Sequence, residues 1–241
     1  DSAGKYLLVN IPAGIQTLLV SKNGFDPVSL PLTVTANTTT TVPIERKWTV
    51  MVFLNADDDG SNSLETWAID DINEMELSGS TDSVTILVQI DRIATGNDSS
   101  NGNWTDTRRY LVDYDPTFTP SQTLNGIGSG DRTIRSTRLD NQPDPLGNGV
   151  GLGELNMGAW ETLRDFIEYG KSNYPAPNYA VVIWDHGSGI KDWGKRNNIQ
   201  TQLRGVSFDD TEDEFIATHE LDNALQSVAP LDIVAFDASL M

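Results

Sequence analysis

The sequence predicts an α/β protein, a mostly parallel sheet between layers of helices, preceded by a small all-β module. Four apolar runs, WTVMVFLN, VTILVQID, NYAVVIWD and LDIVAFD, read as strands, the first of them near-continuous as in a strand covered on both faces. Stretches with helical spacing of apolar residues separate these runs, the alternation that builds parallel sheets with helices on both sides. Residues 1–46 differ, with short β-rich runs broken by Pro-Ala-Gly, Asn-Gly and Ala-Asn. The expected organisation is therefore an all-β module over 1–46 and an α/β domain over 47–241.

Bulk properties narrow the function classes. The 241 residues suffice for one sizeable domain plus a small module. A formal net charge of -19 disfavours nucleic acid, whose phosphates would be repelled, and fits basic peptides, metal cations or simple solubility better. The absence of cysteine excludes disulfides, thiolate metal sites and a cysteine nucleophile in the chain as it stands. No apolar run approaches the roughly 18 residues of a membrane span. Asp1 opens no signal peptide, as in an exported protein whose signal has been removed, and a secreted or cell-surface location is expected.

In the module, YLLVNI, IQTLLVSK, VSLPLTV and TTTTVPI are the strand candidates. The phrase VNIPAGIQTLLVSKNGFDPVSLPLTV resembles the carboxypeptidase-regulatory-like sandwiches attached to extracellular enzymes, here in truncated form. A packing or spacer role is expected of it.

WTVMVFLN then ends in Asn55-Ala56-Asp57-Asp58-Asp59-Gly60, after which Leu64, Trp67, Ala68, Ile69, Ile72, Met75 and Leu77 keep largely helical spacing. VTILVQID, Val84 to Asp91, follows as a parallel neighbour of the first strand. From Arg92 to about Gly153 the chain is rich in Gly, Asn, Asp, Ser and Thr, with TRRYLVDYD its one convincing strand, and reads as a surface excursion. A helix from about Asn156 to Lys171 leads into NYAVVIWDHGSG. After a loop containing Lys191, Lys195, Arg196 and Arg204, GVSFDD reads as a short strand and Thr218 to Ser227 as a helix before LDIVAFDASLM.

Two apolar strands thus end in chemistry. One delivers His186 into a loop with Gly187, Ser188 and Gly189; the other delivers Ser239. Neighbouring parallel strands would set the two side by side at the C-terminal sheet edge, where ligand sites form in open α/β sheets. A histidine there can act as general base and acid. The amides of Gly187 and Ser188 can face a developing oxyanion. The only other histidine, His219, reads as solvated helix surface.

The blocks KWTVMVFLNADDDGSNSLETWAIDDINEMEL, TRRYLVDYD, NYAVVIWDHGSG and LDIVAFDASLM, from Lys47 to the last residue, resemble the clostripain-like cysteine peptidases, relatives of caspases, gingipains and legumains. The resemblance implies a caspase-like three-layer αβα sandwich and a hydrolase, a protease cleaving after arginine or lysine through a His/Cys dyad. His186 matches the family histidine, and Ser239 stands where the family has its cysteine, 53 positions on. A serine hydroxyl is far less ionised than a thiol, so this form is expected to be nearly or wholly inactive. An engineered cysteine-to-serine exchange is favoured over a natural pseudoenzyme, and that over a serine-using variant; no Gly-x-Ser-x-Gly elbow surrounds Ser239.

Asp237 lies two residues before Ser239, on the same side of an extended strand, and matches the family aspartate that pairs with the basic substrate side chain. Lys191, Lys195, Arg196 and Arg204 are the candidate sites of zymogen self-processing, with a solvated basic loop balancing an acidic surface as the equal alternative. The chemistry requires no cofactor. Calcium is the one ion the resemblance suggests, with Asp57 and Asp59 as weak ligand candidates; the plain reading of Asp57, Asp58 and Asp59 is a set of acids at a helix terminus. Expected partners are protein or peptide substrates bearing arginine or lysine. Because relatives continue beyond the nucleophile block, a second chain or fragment completing the domain is also expected. The alternative is a non-catalytic pseudopeptidase that binds basic peptides.

Overall fold

The computed structural model describes residues 8, 10–20, 28–36, 47–58, 64–93, 98–121, 127–140, 151–187, 195–196, 199–200 and 205–239. It divides into two compact units, Asp1–Glu45 and Arg46–Met241.

In the first unit β1 (Gly14–Val20) and β2 (Val28–Val34) form an antiparallel hairpin, in register from Gly14 opposite Val34 to Val20 opposite Val28. Leu18, Leu30 and Leu32 are half-buried, whereas Ile15 and Leu19 face outward. YLLVNI and TTTTVPI fall largely outside the described residues.

The second unit is built on β3 (Trp48–Ala56), α1 (Glu65–Glu76), β4 (Val84–Arg92), β5 (Arg108–Leu111), β6 (Phe118–Thr119), β7 (Ser129–Gly130) and β8 (Thr137–Arg138). It continues through α2 (Trp160–Asn173), β9 (Asn178–His186), β10 (Lys195–Arg196), β11 (Ile199–Gln200), β12 (Gly205–Asp209), β13 (Glu214–Ala217), α3 (Thr218–Ser227) and β14 (Ile233–Ser239). Six strands form one sheet in the order β14-β9-β3-β4-β5-β8. The four apolar runs are its parallel members, and β5 and β8 add antiparallel strands beyond β4.

Alternation along each strand sorts side chains between two layers. Met51, Phe53, Leu87, Val181 and Ile183 pack under Leu163, Phe166 and Ile167 of α2 and Leu221 and Ala224 of α3. Val52, Leu54, Val88, Ile90 and Trp184 pack under Ala68 and Ile72 of α1. Each such large side chain stabilises the fold by about 1.5–3 kcal/mol when fully buried. The three-layer, mostly parallel α/β architecture expected from the sequence is the one observed.

Three local differences have physical causes. The helix expected from about Asn156 begins at Trp160, because Ala159 ahead of it holds an extended backbone, φ -91° and ψ 130°. GVSFDD does not join the main sheet; β12 pairs with β13, an unanticipated four-residue strand, in a hairpin that a bulge between Val206 and Phe208 bends. The loop after His186 contains a short antiparallel ladder, Lys195 opposite Gln200 and Arg196 opposite Ile199.

Candidate active site

The sheet order places the site. From β3 the chain moves outward to β4 on one side, and later to β9 and β14 on the other, so β3 and β9 flank the point where the order reverses. Crevices for ligands open at the C-terminal ends of such strand pairs. Asp58 follows the end of β3 and His186 ends β9.

His186 is half-exposed, and its Nε2 lies 3.6 Å from Oδ2 of the largely buried Asp58. That carboxylate raises the His186 pKa above its ordinary value against the opposing effect of partial burial; Asp185 and Asp210 push the same way. Asp185 is buried, which drives its pKa well above the carboxylate range, and it accepts a hydrogen bond from the Phe208 amide. Gly187 is buried and bridges to Val206. The histidine loop is thus tied to the β12–β13 hairpin on both sides of His186.

β14 runs parallel beside β9, and their register sets Ser239 opposite His186, Ala238 opposite Asp185 and Asp237 opposite Trp184. Adjacent strands are about 4.8 Å apart, so the backbones of residues 186 and 239 are immediate neighbours. Asp237 is exposed, and its charge reaches Asp71 of α1. Burial raises Asp71 to about 6, opposed by a hydrogen bond with Trp184, with Glu74, Asp237 and Asp70 adding repulsion. Asp58 thus faces His186 directly, while Asp71 and Asp237 act on one another beside Trp184 of the same strand.

Of the other sequence candidates, Ser188, Lys191, Arg204 and Asp59 lie outside the described residues. Lys195 and Arg196 form β10. The reading of Asp57 and Asp58 as helix-terminus acids is corrected: α1 starts at Glu65, and both aspartates are used elsewhere. Asp57 is 1% exposed and accepts hydrogen bonds from the Thr211 amide and hydroxyl at 3.0 and 2.6 Å. Asp58 faces His186. The pairing of Asp58 with His186 was missed in the sequence, although an acidic triplet closing the strand beside the histidine strand was its available signal.

An imidazole with a carboxylate at one nitrogen and a hydroxyl-bearing residue on the adjoining strand is an arrangement for general-base and nucleophilic chemistry. The fold and this edge define an α/β protein with a strand-borne histidine at the sheet's reversal point. The clostripain family model matches residues 52–241, and the chain belongs to that family.

Clostripain of Hathewaya histolytica is 27% identical over 208 residues, covering 81% of this chain. A secreted C11 cysteine protease of Bacteroides thetaiotaomicron, solved with an irreversible peptide inhibitor, is 20% identical at a TM-score of 0.45 and covers 81% of this chain. An inactive zymogen C11 protease of Parabacteroides distasonis is 20% identical at a TM-score of 0.47 and covers 82%. The chain spans 34% of the length of clostripain and 43% of each of these two structures.

Proposed function

We propose that this chain carries the catalytic edge of a peptidase that cleaves after arginine or lysine, with His186 as general base and acid and position 239 as the seat of the nucleophile. The observation that carries the reading is the register of β14 on β9, which makes Ser239 the neighbour of His186. Membership of the clostripain family supports the reaction class.

Asp58 at Nε2 is the positioning residue, which leaves proton transfer at position 239 to Nδ1. The Gly187 and Ser188 amides are the oxyanion donors in this reading. Asp237 supplies the carboxylate for the substrate's guanidinium or ammonium, and Asp71 adds negative potential behind it. Export and self-processing at Lys191, Lys195, Arg196 or Arg204 belong to the same reading.

Ser239 sets the activity of the present form. With its proton held far more tightly than a thiol's, the hydroxyl makes this form nearly or wholly inactive. The test is Ser239→Cys, assayed on a peptide reporter with arginine before the scissile bond. Turnover at least 100-fold above the serine form, lost again in His186→Ala, is expected. A folded Ser239→Cys protein that neither turns over the reporter nor reacts with an arginine-directed thiol label would overturn the reading.

The serine itself favours a second reading, a pseudopeptidase that holds basic peptides at Asp237 without cutting them. In that case the serine form binds an arginine peptide and Ser239→Cys binds it equally without cleavage.

A further inference from the structure

The ladder between β3 and β9 ends with Leu54 opposite Trp184. Asp58 and His186 both lie beyond that pair, so the ladder does not fix the separation on which their interaction depends. Another part of the molecule must hold the two strand ends together.

Asn55 and Asp185 are the next residues along β3 and β9, and alternation turns their side chains to the face opposite His186. Phe53 and Ile183, two residues earlier, lie in the core under α2 and α3, and the buried Asn55 and Asp185 continue that face. Both reach one residue of β12. The Phe208 amide donates to Asp185 Oδ2, and the Phe208 carbonyl accepts Asn55 Nδ2 at 2.9 Å. Asp185 also accepts the amide of His186 itself. On the β3 side, Asn55 Oδ1 accepts the Asp57 amide at 3.0 Å, and the Asp57 carbonyl accepts the Asp210 amide at 3.2 Å. Phe208 therefore links the end of β3 to the end of β9, each bond close in the chain to one member of the His186–Asp58 pair.

Phe208 is itself held in turn. Ser207 before it is fully buried at a φ of 57°, in the left-handed region that a serine occupies only where its surroundings enforce it. Ser207 Oγ donates to the Met157 carbonyl at 2.8 Å and accepts a second bond from Asn55 Nδ2 at 3.2 Å. The Phe208 ring stacks on the buried Phe215 at 4.9 Å between centroids. An apolar pair would fill the face of Asn55 and Asp185 at less desolvation cost than a buried amide and a buried carboxylate, but it would leave the strand ends unlinked.

We propose that Asn55 and Asp185 are positioning residues, which set the distance between Asp58 and His186 through the backbone of Phe208. The inference rests on the reading of His186 as general base. The charges acting on the ring are those of Asp58, Asp185 and Asp210. Asn55 carries none, so replacing it can alter the ring's titration only by moving those groups relative to it.

The experiment is NMR titration of His186 in the full Ser239 chain carrying Asn55→Ser. A serine hydroxyl still accepts the Asp57 amide two residues on, as serines do in turns, but is too short to hold Phe208. The His186 midpoint should fall towards the ordinary value near 6.5. In the Ser239→Cys background the same substitution should lower kcat about 10- to 100-fold and leave KM nearly unchanged, as displacement of a reacting group by up to about 1 Å does. Ser207→Ala is the control. It removes the bonds of Ser207 Oγ and keeps both bonds at Phe208, so it should lower the melting temperature without moving the midpoint. Asn55→Thr, whose branched side chain suits a strand, makes the same test if Asn55→Ser does not fold. A folded variant at position 55 with an unmoved His186 midpoint would overturn the proposal, and so would a midpoint that Ser207→Ala shifts equally. The titration needs no turnover, so failure of the peptidase reading is distinguished as a Ser239→Cys protein inactive on the reporter whose midpoint still moves with Asn55→Ser.

Discussion

One residue contributes most to the character of His186. The imidazole is half-exposed, which by itself would leave it an ordinary surface histidine, and it is the Asp58 carboxylate 3.6 Å away that favours the protonated ring. Because the folded-state pKa lies above the unfolded value near 6.5, the pair's contribution to stability is fully present below that value. It is lost as pH rises through the folded-state pKa. Asp58→Asn should therefore lower the His186 midpoint in an NMR titration and flatten the pH dependence of unfolding on the alkaline side of pH 6.5. The chain's two histidines make the signals assignable with one His219→Gln control. An unchanged midpoint would show that Asp58 does not act on the ring. In the peptidase reading the same substitution should shift the pH profile of Ser239→Cys activity more than its KM, since Asp58 works through the histidine.

Among the elements, those legible in the sequence are the ones whose burial is written in consecutive residues. β3, β4 and β9 are each covered on both faces or close to it, so their apolar runs are continuous and their pairing is parallel, whereas β14, last in the sheet order, keeps the continuous run but leaves Ile233, Val234 and Phe236 exposed. α3 was equally plain, spanning Thr218–Ser227, with Glu220 accepting the Ala217 amide at its start. β13 was not, because Glu214–Ala217 is only four residues long and follows a run of acids. Its hairpin turns through Asp213 at a φ of 51°, a conformation that aspartate adopts more readily than most residues. Where that hairpin meets the segment just ahead of α2, backbone lies against backbone, a contact with no sequence signature. A Cβ added at Gly158 would meet the Glu214 carbonyl carbon at 2.5 Å and the Phe215 nitrogen at 2.8 Å. Backbone cannot swing aside as a flexible side chain can. Gly158→Ala should accordingly cost about 1–3 kcal/mol, read as a lower urea midpoint with unchanged slope. A neutral result would mean that the hairpin can move off the segment ahead of α2 without penalty.

At the scale of the whole molecule, the site was half legible. The spacing of His186 and Ser239 on two strands is a local signal repeated twice, whereas Asp58 and Asp71 come to the site only through the strand order. No window of sequence distinguishes them among 35 acidic residues. That excess of acid over base nevertheless has a consequence of its own. With a net charge of -19, like-charge repulsion disfavours the compact state, and exposed ion pairs such as Arg135–Asp131 and Arg164–Asp165 are too few to reverse it. Raising sodium chloride from about 50 to about 500 mM shortens the Debye length from roughly 14 Å to roughly 4 Å. Screening should then raise the melting temperature by a few degrees, measured by calorimetry in chelator so that divalent ions play no part. The same screening should weaken an arginine peptide's hold on the carboxylate-lined edge around Asp237 and Asp71, measured by fluorescence anisotropy on the Ser239 form. Opposite signs for the two responses are the expected outcome. A melting temperature that falls with salt would mean that local pairs, rather than net repulsion, dominate the electrostatics of this acidic chain.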